Sequence, residues 1–405
     1  MAVGDTSFPA MPAIPGLRLG TAMAGIKKSG RRDLVVIEGP EDVRMAGTFT
    51  RNAFCAAPVT VAREHLASGE IPRYLVINTG NANAGTGDPG LRDARDSCAE
   101  LARLTGVKAQ SVLPFSTGVI GEPLPMERLL AGLPAALDSL DDGADAWHRA
   151  GEGILTTDTR PKGASVTLEI AGQRVVINGI AKGSGMIQPN MATMLAFVAT
   201  DASLEQETLD RVLQETVERS FNCITVDGDT STNDACMLIS TRRGPAIEGE
   251  EALTLFRNGL QRVMTELAQS IIRDGEGATK FVALRVDGAS SRQEAMDVAF
   301  TVANSPLVKT ALYASDANWG RILAAVGRAP VADFDVSRVT IDLDEVRIVE
   351  GGSRAPNYIE EAGSAVMARE EIAIRITLGR GEESATVWTN DLSHDYISIN
   401  ADYRS

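Results

Sequence analysis

Histidine is scarce in this chain of 405 residues, which contains only His65, His148 and His394. No two of them have the spacing with which a helix presents a pair of metal ligands, and the H-E-x-x-H motif does not occur. Ser393, His394 and Asp395 are the residue types of a catalytic triad, but triad members come from separate parts of a fold, and adjacent side chains point apart. We therefore expect no metal site, and an enzyme with this sequence needs a base other than histidine.

Cysteines, long apolar runs and targeting signals are equally sparse. The four cysteines are too few for a disulfide framework in a chain of this length, and no two have C-x-x-C spacing. Cys98 falls on the apolar face of a predicted helix, where a free cysteine is usually buried. No segment approaches the roughly 18–20 apolar residues of a membrane span, and the N-terminus lacks the basic and apolar regions of a secretory signal. We expect a reducing, cytoplasmic compartment and no association with a membrane.

Basic residues are also fewer than acidic ones. The chain has 39 basic and 54 acidic residues, so its formal net charge is −15. The densest basic clusters are pairs: Lys27-Lys28, Arg31-Arg32 and Arg242-Arg243. A chain this acidic repels phosphate backbones and anionic membranes, so we expect no nucleic-acid partner. The balance of 44% apolar and 23% charged residues is that of a globular protein with two or three core units. What remains is a protein that acts on small molecules, or a non-enzymatic assembly.

Two buried strands are predicted where apolar runs lead into polar stretches. Residues 74–77 and 112–115 are the strands, and residues 78–83 and 116–118 are the loops that follow them. Such loops are where α/β proteins usually build their sites, although plain turn chemistry explains the same residues. Both loops are therefore candidate parts of a site.

Helices are predicted from apolar residues that recur at helical spacing. Two of them cover residues 88–106 and 251–272. A third begins at Ser203, where Ser203-x-x-Gln206 has the residues of a capping box, and its apolar stripe continues to Val217.

The other predicted strands pair along the chain. A hairpin joins residues 164–170 to residues 174–180, and the strictly alternating strand 372–378 returns through residues 385–388 after a glycine-rich turn. Strands and helices mix in both halves without a regular βαβ series. The expected fold class is therefore α/β, in the sense of α+β layers.

The segment that begins at residue 182 carries the most specific chemistry. Residues 182–185, K-G-S-G, lack the order of a phosphate-binding loop, because the lysine precedes the glycines. Thr193 can act as a nucleophile without histidine if its own α-amino group is the base, since an α-amine has a pKa of about 7.7–8. An internal threonine acquires a free amine only if the bond after Ala192 is cut. These residues alone do not establish such a cut, because Ala-Thr dipeptides are common.

Residues 182–201, KGSGMIQPNMATMLAFVATD, closely resemble the signature of the ornithine acetyltransferase family, the bifunctional glutamate N-acetyltransferases of arginine biosynthesis. Other blocks similar to this family follow in the same order along nearly the whole chain: residues 25–27, 48–52, 78–83, 116–121, 156–162, 226–234, 315–321 and 398–405. One such block would be weak evidence. Many co-linear blocks make the resemblance specific.

The resemblance implies an enzyme made as one precursor that cuts itself between Ala192 and Thr193. The products are a first chain of residues 1–192 and a second chain of residues 193–405, which begins with the nucleophile Thr193. The implied fold is the layered α/β arrangement of the family, which resembles the N-terminal-nucleophile hydrolases in mechanism but not in topology.

The resemblance also implies the site residues. Thr117 and Gly118 match the family's oxyanion hole, in which a hydroxyl and a backbone N–H stabilise the charge of a tetrahedral intermediate. The substrate-binding positions are matched by Thr156, Lys182, Thr193, Glu276, Asn400 and Ser405. Glu276 would bind the substrate's amine or assist proton transfer, although a plain turn carboxylate is the alternative. Asn400 and Ser405 require the chain end to fold back into the cleft; Ser405 stands where the family also has threonine, and both offer a hydroxyl.

The implied activity is transfer of acetyl from N2-acetyl-L-ornithine to L-glutamate through an acetyl-Thr193 intermediate, with ping-pong kinetics. No metal or redox cofactor is implied, and acetyl-CoA is a second acetyl donor in some members of the family. The implied partners are these small molecules and the two cleavage chains, joined as an α2β2 heterotetramer. Two alternatives stay open: an autoprocessing aminopeptidase or amidase with water as acceptor, and a homologue that binds amino acids without turnover.

Overall fold

The computed structural model describes residues 3–4, 7–188 and 194–401, in which three β-sheets are packed against α-helices. The strands are β1 (Arg18–Ala22), β2 (Leu34–Glu38), β3 (Arg44–Phe49), β4 (Tyr74–Asn81), β5 (Val112–Val119), β6 (Lys162–Ile170), β7 (Gln173–Lys182), β8 (Leu195–Thr200), β9 (Ala235–Ser240), β10 (Phe281–Ala289), β11 (Thr340–Leu343), β12 (Val346–Glu350), β13 (Ser353–Arg354), β14 (Glu371–Thr377) and β15 (Glu383–Asn390). The helices are α1 (Ala57–Leu66), α2 (Gly87–Thr105), α3 (Met126–Asp138), α4 (Ala144–Gly153), α5 (Gln206–Val217), α6 (Glu250–Arg273), α7 (Arg292–Ala303), α8 (Pro306–Tyr313), α9 (Trp319–Gly327), α10 (Glu360–Met367) and α11 (His394–Ala401). None of these helices is long and apolar enough to cross a membrane.

The expected class of mixed α/β layers is confirmed, and the local predictions hold best for the long helices. Helix α2 ends before Gly106, which has φ of 74° as a left-handed C-cap residue usually does. Cys98 is fully buried on the inner face of α2, and this burial raises the pKa of its thiol. Helix α6 begins and ends within one residue of the predicted range.

The sheet β1-β2-β4-β5 corrects the prediction of two polar loops. Residues 78–81 and 116–119 are the last residues of β4 and β5, which run parallel and stay paired to their ends. The polar side chains satisfy one another there, because the Ser116 hydroxyl donates to Asn78 Oδ1 (2.6 Å) and Asn78 Nδ2 donates to the Asn81 carbonyl (2.9 Å). Such hydrogen bonds replace water, so a polar sequence continues the buried sheet.

The five-stranded sheet β3-β9-β8-β7-β6 joins the two segments that the expected cut would separate. β6 and β7 form the predicted hairpin, and its turn has positive φ at Ala171 (51°) and Gly172 (72°), as a type I′ turn requires. β7 and β8 are antiparallel neighbours, and Lys182 at the end of β7 pairs with Leu195 at the start of β8. The division into two chains stays a prediction, but its products would share one sheet.

Helices α5 and α6 pack on this sheet with the apolar stripes that the periodicity predicted. The predicted capping box is wrong, because α5 begins at Gln206 and its N-cap residue is Glu205. Ser203 instead forms an isolated β-bridge with Ala246, and Gln206 Nε2 donates to the Met45 carbonyl (3.0 Å). Tertiary hydrogen bonds therefore engage both residues that the local motif would have paired.

The six-stranded sheet β13-β12-β11-β14-β10-β15 corrects the predicted return of the alternating strand. β15 follows β14 along the chain but does not pair with it, because β10 lies between them, parallel to β14 and antiparallel to β15. The connection passes over the end of β10, where the Leu378 N–H donates to the Asp287 carbonyl (2.9 Å) and the Arg380 N–H donates to the Gly288 carbonyl (2.7 Å). The alternation itself is as predicted, with the isoleucines of β14 buried.

Candidate active site

Six of the predicted site residues line one pocket of about 140 Å³: Thr117, Gly118, Thr156, Lys182, Glu276 and Asn400. They come from the end of β5, the segment before β6, the end of β7, the turn after α6, and α11. Ala192, Thr193 and Ser405 lie outside the described residues. The structure brings the six together from distant parts of the sequence, and their roles stay predictions.

The backbone at Gly118 has a conformation that only glycine accommodates. Its φ is 138°, and a Cβ added there would lie 2.3 Å from the backbone carbonyl carbon of Gly80 on β4. The preceding residue, Thr117, is largely buried, and its hydroxyl oxygen accepts a hydrogen bond from Lys182 Nζ (3.4 Å). An ammonium can only donate, so the hydroxyl proton of Thr117 is available for a further acceptor. The site therefore contains the hydroxyl donor that an oxyanion hole needs.

Lys182 brings a buried positive charge into the pocket, with only 7% of its surface exposed. Burial lowers the pKa of its ammonium group, while the carboxylates of Asp158, Asp234 and Glu276 act in the opposite direction. The Asp158 carboxylate is the closest of these, at 4.0 Å from Nζ to Oδ2. A positive charge at this position lowers the pKa of any neighbouring amine, because two like charges repel.

Lys182 lies next to a buried ion cluster of Asp158, Lys162 and Asp274, which it contacts through Asp158. Lys162 Nζ contacts Asp158 Oδ1 and Asp274 Oδ2, both at 2.6 Å, and all three side chains are fully buried. Burial alone would raise the pKa of Asp158, but the charges of Lys162 and Lys182 outweigh it and hold the pKa well below its ordinary value. Asp158 also accepts the backbone N–H groups of Gly183 (2.7 Å) and Thr156 (3.0 Å). One carboxylate thus positions two segments of the pocket wall.

These three residues were missed as functional candidates in the sequence. A signal was present, because Asp158 and Lys162 lie four residues apart within a family-like block and Asp274 precedes Glu276 by two residues. Charged residues at such spacing are usually solvent-exposed, however, so burial could not be predicted from them.

We expect Asp158→Asn to lower the free energy of unfolding by about 3–5 kcal/mol, because loss of one partner leaves a buried charge uncompensated. The pKa of Asp158 is lower in the folded protein than its ordinary value of 3.8, so its stabilisation is present above that pH and is lost as the pH falls further. The variant should consequently lose less stability than the wild type on acidification. Urea unfolding at several pH values measures both effects.

The matched control is Asp42→Asn, which removes a surface carboxylate that contacts Arg243 (2.6 Å). Such an exposed pair contributes little to stability, because water and salt screen it, so this variant should unfold much like the wild type. Equal losses for Asp158→Asn and Asp42→Asn would contradict the structural role of the buried cluster.

The Glu276 carboxylate lies inside the pocket and is 8% exposed, so it is not an ordinary surface turn residue. Its Oε2 accepts a hydrogen bond from Asn400 Nδ2 (2.8 Å), and its backbone N–H donates to the Ser184 carbonyl (2.8 Å). The carboxylate packs over Gly185, where an added Cβ would lie 2.3 Å from Oε2. Gly185 thus leaves room for a carboxylate, and the interpretation that residues 182–185 do not form a phosphate-binding loop stays a prediction.

The C-terminal helix α11 folds back onto the pocket, as the prediction for Asn400 required. It docks on Gly277, whose φ is 70° and whose missing Cβ leaves room for the Tyr396 N–H (2.5 Å from the ideal position). Ser393 Oγ donates to the Gly277 carbonyl (2.6 Å), and the Tyr396 hydroxyl donates to Asp227 Oδ2 (3.1 Å). Ser393 is therefore a docking residue, which agrees with the prediction that residues 393–395 are not a triad.

Comparison with known proteins gives a family for this arrangement. A family model described as the ArgJ family matches residues 18–405. The "Arginine biosynthesis bifunctional protein ArgJ" of Methylococcus capsulatus is 58% identical, over 97% of this chain and 96% of that protein. The protein of the same name from Pseudomonas syringae pv. tomato is 55% identical over the full length of both chains.

A solved structure agrees with these relatives. The crystal structure of arginine biosynthesis bifunctional protein argJ from Bacillus halodurans is 36% identical, with a TM-score of 0.50, and the match covers 52% of this chain and 99% of that chain. The chain therefore belongs to the ArgJ family, and it is an enzyme of arginine biosynthesis, as the resemblance in its sequence implied.

Proposed function

We propose that this chain transfers the acetyl group of N2-acetyl-L-ornithine to L-glutamate, with Thr193 as the nucleophile. The observation that carries the proposal is the single pocket that holds a hydroxyl, a buried ammonium and a buried carboxylate, from Thr117, Lys182 and Glu276. The names of the relatives, which are arginine biosynthesis bifunctional proteins, support an acetyl transfer in that pathway.

Self-cleavage between Ala192 and Thr193 is part of the proposal, because Thr193 needs a free α-amine as its base. The residues that follow Thr193 support it: Met194 is buried and accepts the Ala235 N–H (3.1 Å), and Leu195 pairs with Lys182 of the pocket. The Bacillus halodurans chain also supports it, because nearly all of that chain matches about half of this one. That is the length of either product of a cut near the middle.

The two products are proposed to stay together and to assemble as an α2β2 heterotetramer. Strands β7 and β8 belong to different products and are paired along six residues, from Ile177 to Lys182 on β7. The buried core between this sheet and α6 also contains residues of both products. Separation would expose that core to water, which is strongly unfavourable.

The transfer occurs in two steps that conserve atoms and charge. The Thr193 hydroxyl adds to the acetyl carbonyl while the α-amine takes its proton; an ester bond forms, the amide bond breaks, and ornithine leaves with the proton on its nitrogen. The amine of glutamate then attacks the ester, and the threonine hydroxyl is regenerated. Thr117 and Gly118 are assigned to the negative charge that develops on the carbonyl oxygen in both steps.

The remaining residues are assigned to orientation. Lys182 keeps the α-amine of Thr193 neutral through like-charge repulsion, and Glu276, held by Asn400, binds an amine of the substrate. Thr156 and Ser405 complete the proposed substrate-binding set. This route uses no metal or redox cofactor, and acetyl-CoA is included as a second acetyl donor.

The decisive test is acetyl transfer with labelled N2-acetyl-L-ornithine, with and without glutamate. We expect label in N-acetylglutamate, ornithine release that depends on glutamate after the first turnover, and parallel double-reciprocal plots, as in ping-pong kinetics. An aminopeptidase or amidase would instead release acetate at the full rate without glutamate. That result would replace the proposed acceptor by water.

A further inference from the structure

A second pocket, of about 180 Å³, adjoins the candidate active site on the other side of β5 residue Gly118. The two pockets share Gly118, Thr156 and Thr157 as a common wall. The second pocket is distinguished by three cationic side chains, Lys27, Lys28 and Arg31, which the active-site pocket does not contact.

The fold holds these cations at the end of the β4–β5 pair. A Cβ added to Gly80, whose φ is 94°, would lie 2.6 Å from Lys27 Cβ, so the glycine is what lets the lysine segment pack onto the strand end. Arg31 is anchored by a hydrogen bond from Nη2 to the Leu155 carbonyl (2.7 Å). The position of the cationic group is therefore built by β4 and by the segment after α4.

The cations of this pocket have no carboxylate partner among the described residues. No acidic side chain there lies within 4.0 Å of Lys27, Lys28 or Arg31. Asp33 also lines the pocket, but its two oxygens accept the backbone N–H groups of Ala24 (2.7 Å) and Ile26 (2.6 Å). Three cations and the single carboxylate of Asp33 leave the lining of this pocket with a net positive charge, which attracts an anionic ligand to a chain of net charge −15.

The lining of the pocket favours a ligand that combines an apolar stem with an anionic end. Val119, Leu155 and Ile399 contribute apolar wall near Gly118, whereas Lys27 and Lys28 are exposed and face water. A free amino acid carries its carboxylate within a few bonds of the reacting nitrogen, and Lys182 already supplies a cation in the active-site pocket. Exposed ammonium groups are point charges well suited to phosphate.

We propose that the Lys27–Lys28–Arg31 pocket binds the phosphate-bearing part of an acyl-CoA donor whose thioester reaches the candidate active site beside Gly118. The inference rests on the proposed function, since the same nucleophile accepts the acetyl group. The threonine hydroxyl adds to the thioester carbonyl, the carbon–oxygen bond forms, the carbon–sulfur bond breaks, and the thiol leaves with the hydroxyl proton. The pocket thus supplies the second donor with a binding site of its own.

The test is calorimetric titration of the processed protein with CoA, and steady-state kinetics with acetyl-CoA and glutamate. We expect the double variant Lys27→Glu/Lys28→Glu to raise the Kd for CoA and the KM for acetyl-CoA by at least about tenfold, because both charges are reversed against the phosphates. The effect on the KM for N2-acetyl-L-ornithine should be at least tenfold smaller. Pantetheine lacks phosphate, so its Kd should be the same for the wild type and the variant.

The matched control is Arg92→Glu/Lys108→Glu, which changes the charge by the same amount at two exposed positions. Lys108 precedes the start of β5, whereas the pocket lies at the end of that strand, roughly 20 Å away at about 3.3 Å per residue. This control should leave CoA binding unchanged.

Three results would overturn the inference: no CoA binding by the wild type, the same Kd in the double variant as in the control, or a larger KM for glutamate with either donor. The last result would assign the pocket to the acceptor's carboxylate. Failure of the proposed function is distinguishable, because it would abolish transfer from N2-acetyl-L-ornithine while the CoA titration still reports on the pocket.

Discussion

Thr193→Ala is expected to remain a single full-length chain and to have no acetyltransferase activity. The proposal uses the same hydroxyl twice, first to attack the Ala192 carbonyl and then to accept acetyl, so the substitution removes both steps. Denaturing gels and intact mass measure the cleavage, and labelled N2-acetyl-L-ornithine measures the transfer. The wild type should give two chains, the second beginning at Thr193, and native mass should show two copies of each in one complex.

Thr193→Ser is the matched control for this variant. It keeps the oxygen nucleophile but lacks the γ-methyl group that restricts χ1, so it should still be cut, more slowly, and retain part of the activity. Cleavage of Thr193→Ala at the same bond would refute the self-cleavage mechanism. An acetyl label that mapped to another side chain of the cleaved wild type would leave the cut intact and refute the catalytic role.

Thr117→Ala is expected to lower kcat by about 10²–10³ with a much smaller change in KM, because an oxyanion-hole donor acts on charge that develops in the transition state. The geometry supports the assignment, since the Thr117 hydroxyl accepts from Lys182 Nζ (3.4 Å) and keeps its own proton for another acceptor. Steady-state rates must be divided by the concentration of processed enzyme, because the same donor would also assist self-cleavage.

Thr117→Ser provides the comparison, as it retains the hydroxyl at the same position of β5. It should restore most of kcat. An alanine variant with unchanged kcat, or one with a raised KM alone, would assign Thr117 to binding or to strand packing instead.

Much of the local structure could be predicted because it depends on neighbours in sequence. The 3.6-residue period of α2 and α6 and the two-residue alternation of β14 describe which side of each element is buried, and the structure agrees. The turn between β6 and β7 was also predictable, since Ala171 and Gly172 lie between two apolar strands. The family resemblance likewise named six residues that the fold gathers into one pocket.

Sheet order was beyond such reasoning, because it depends on contacts between distant residues. Nothing local to β14 and β15 indicates that β10 separates them, and nothing local to residues 78–81 indicates that polar side chains will be satisfied by a parallel neighbour. The prediction of a capping box was wrong for a related reason. The side-chain amide of Gln206 donates to the Met45 carbonyl, 161 positions earlier in the chain.

The family, the long helices, the amphipathic strands and the residue types of the site all follow from the amino-acid sequence alone. The buried cluster of Asp158, Lys162 and Asp274 beside Lys182 depends on the fold, and so does the meeting of Lys27, Lys28 and Arg31 beside Gly118. Periodicity records which face of an element is apolar, whereas the energy of a charge depends on burial and on partners from other elements. The burial and the ionic partners of a charged residue in this chain are therefore set by the packing of the sheets, and the local sequence does not contain them.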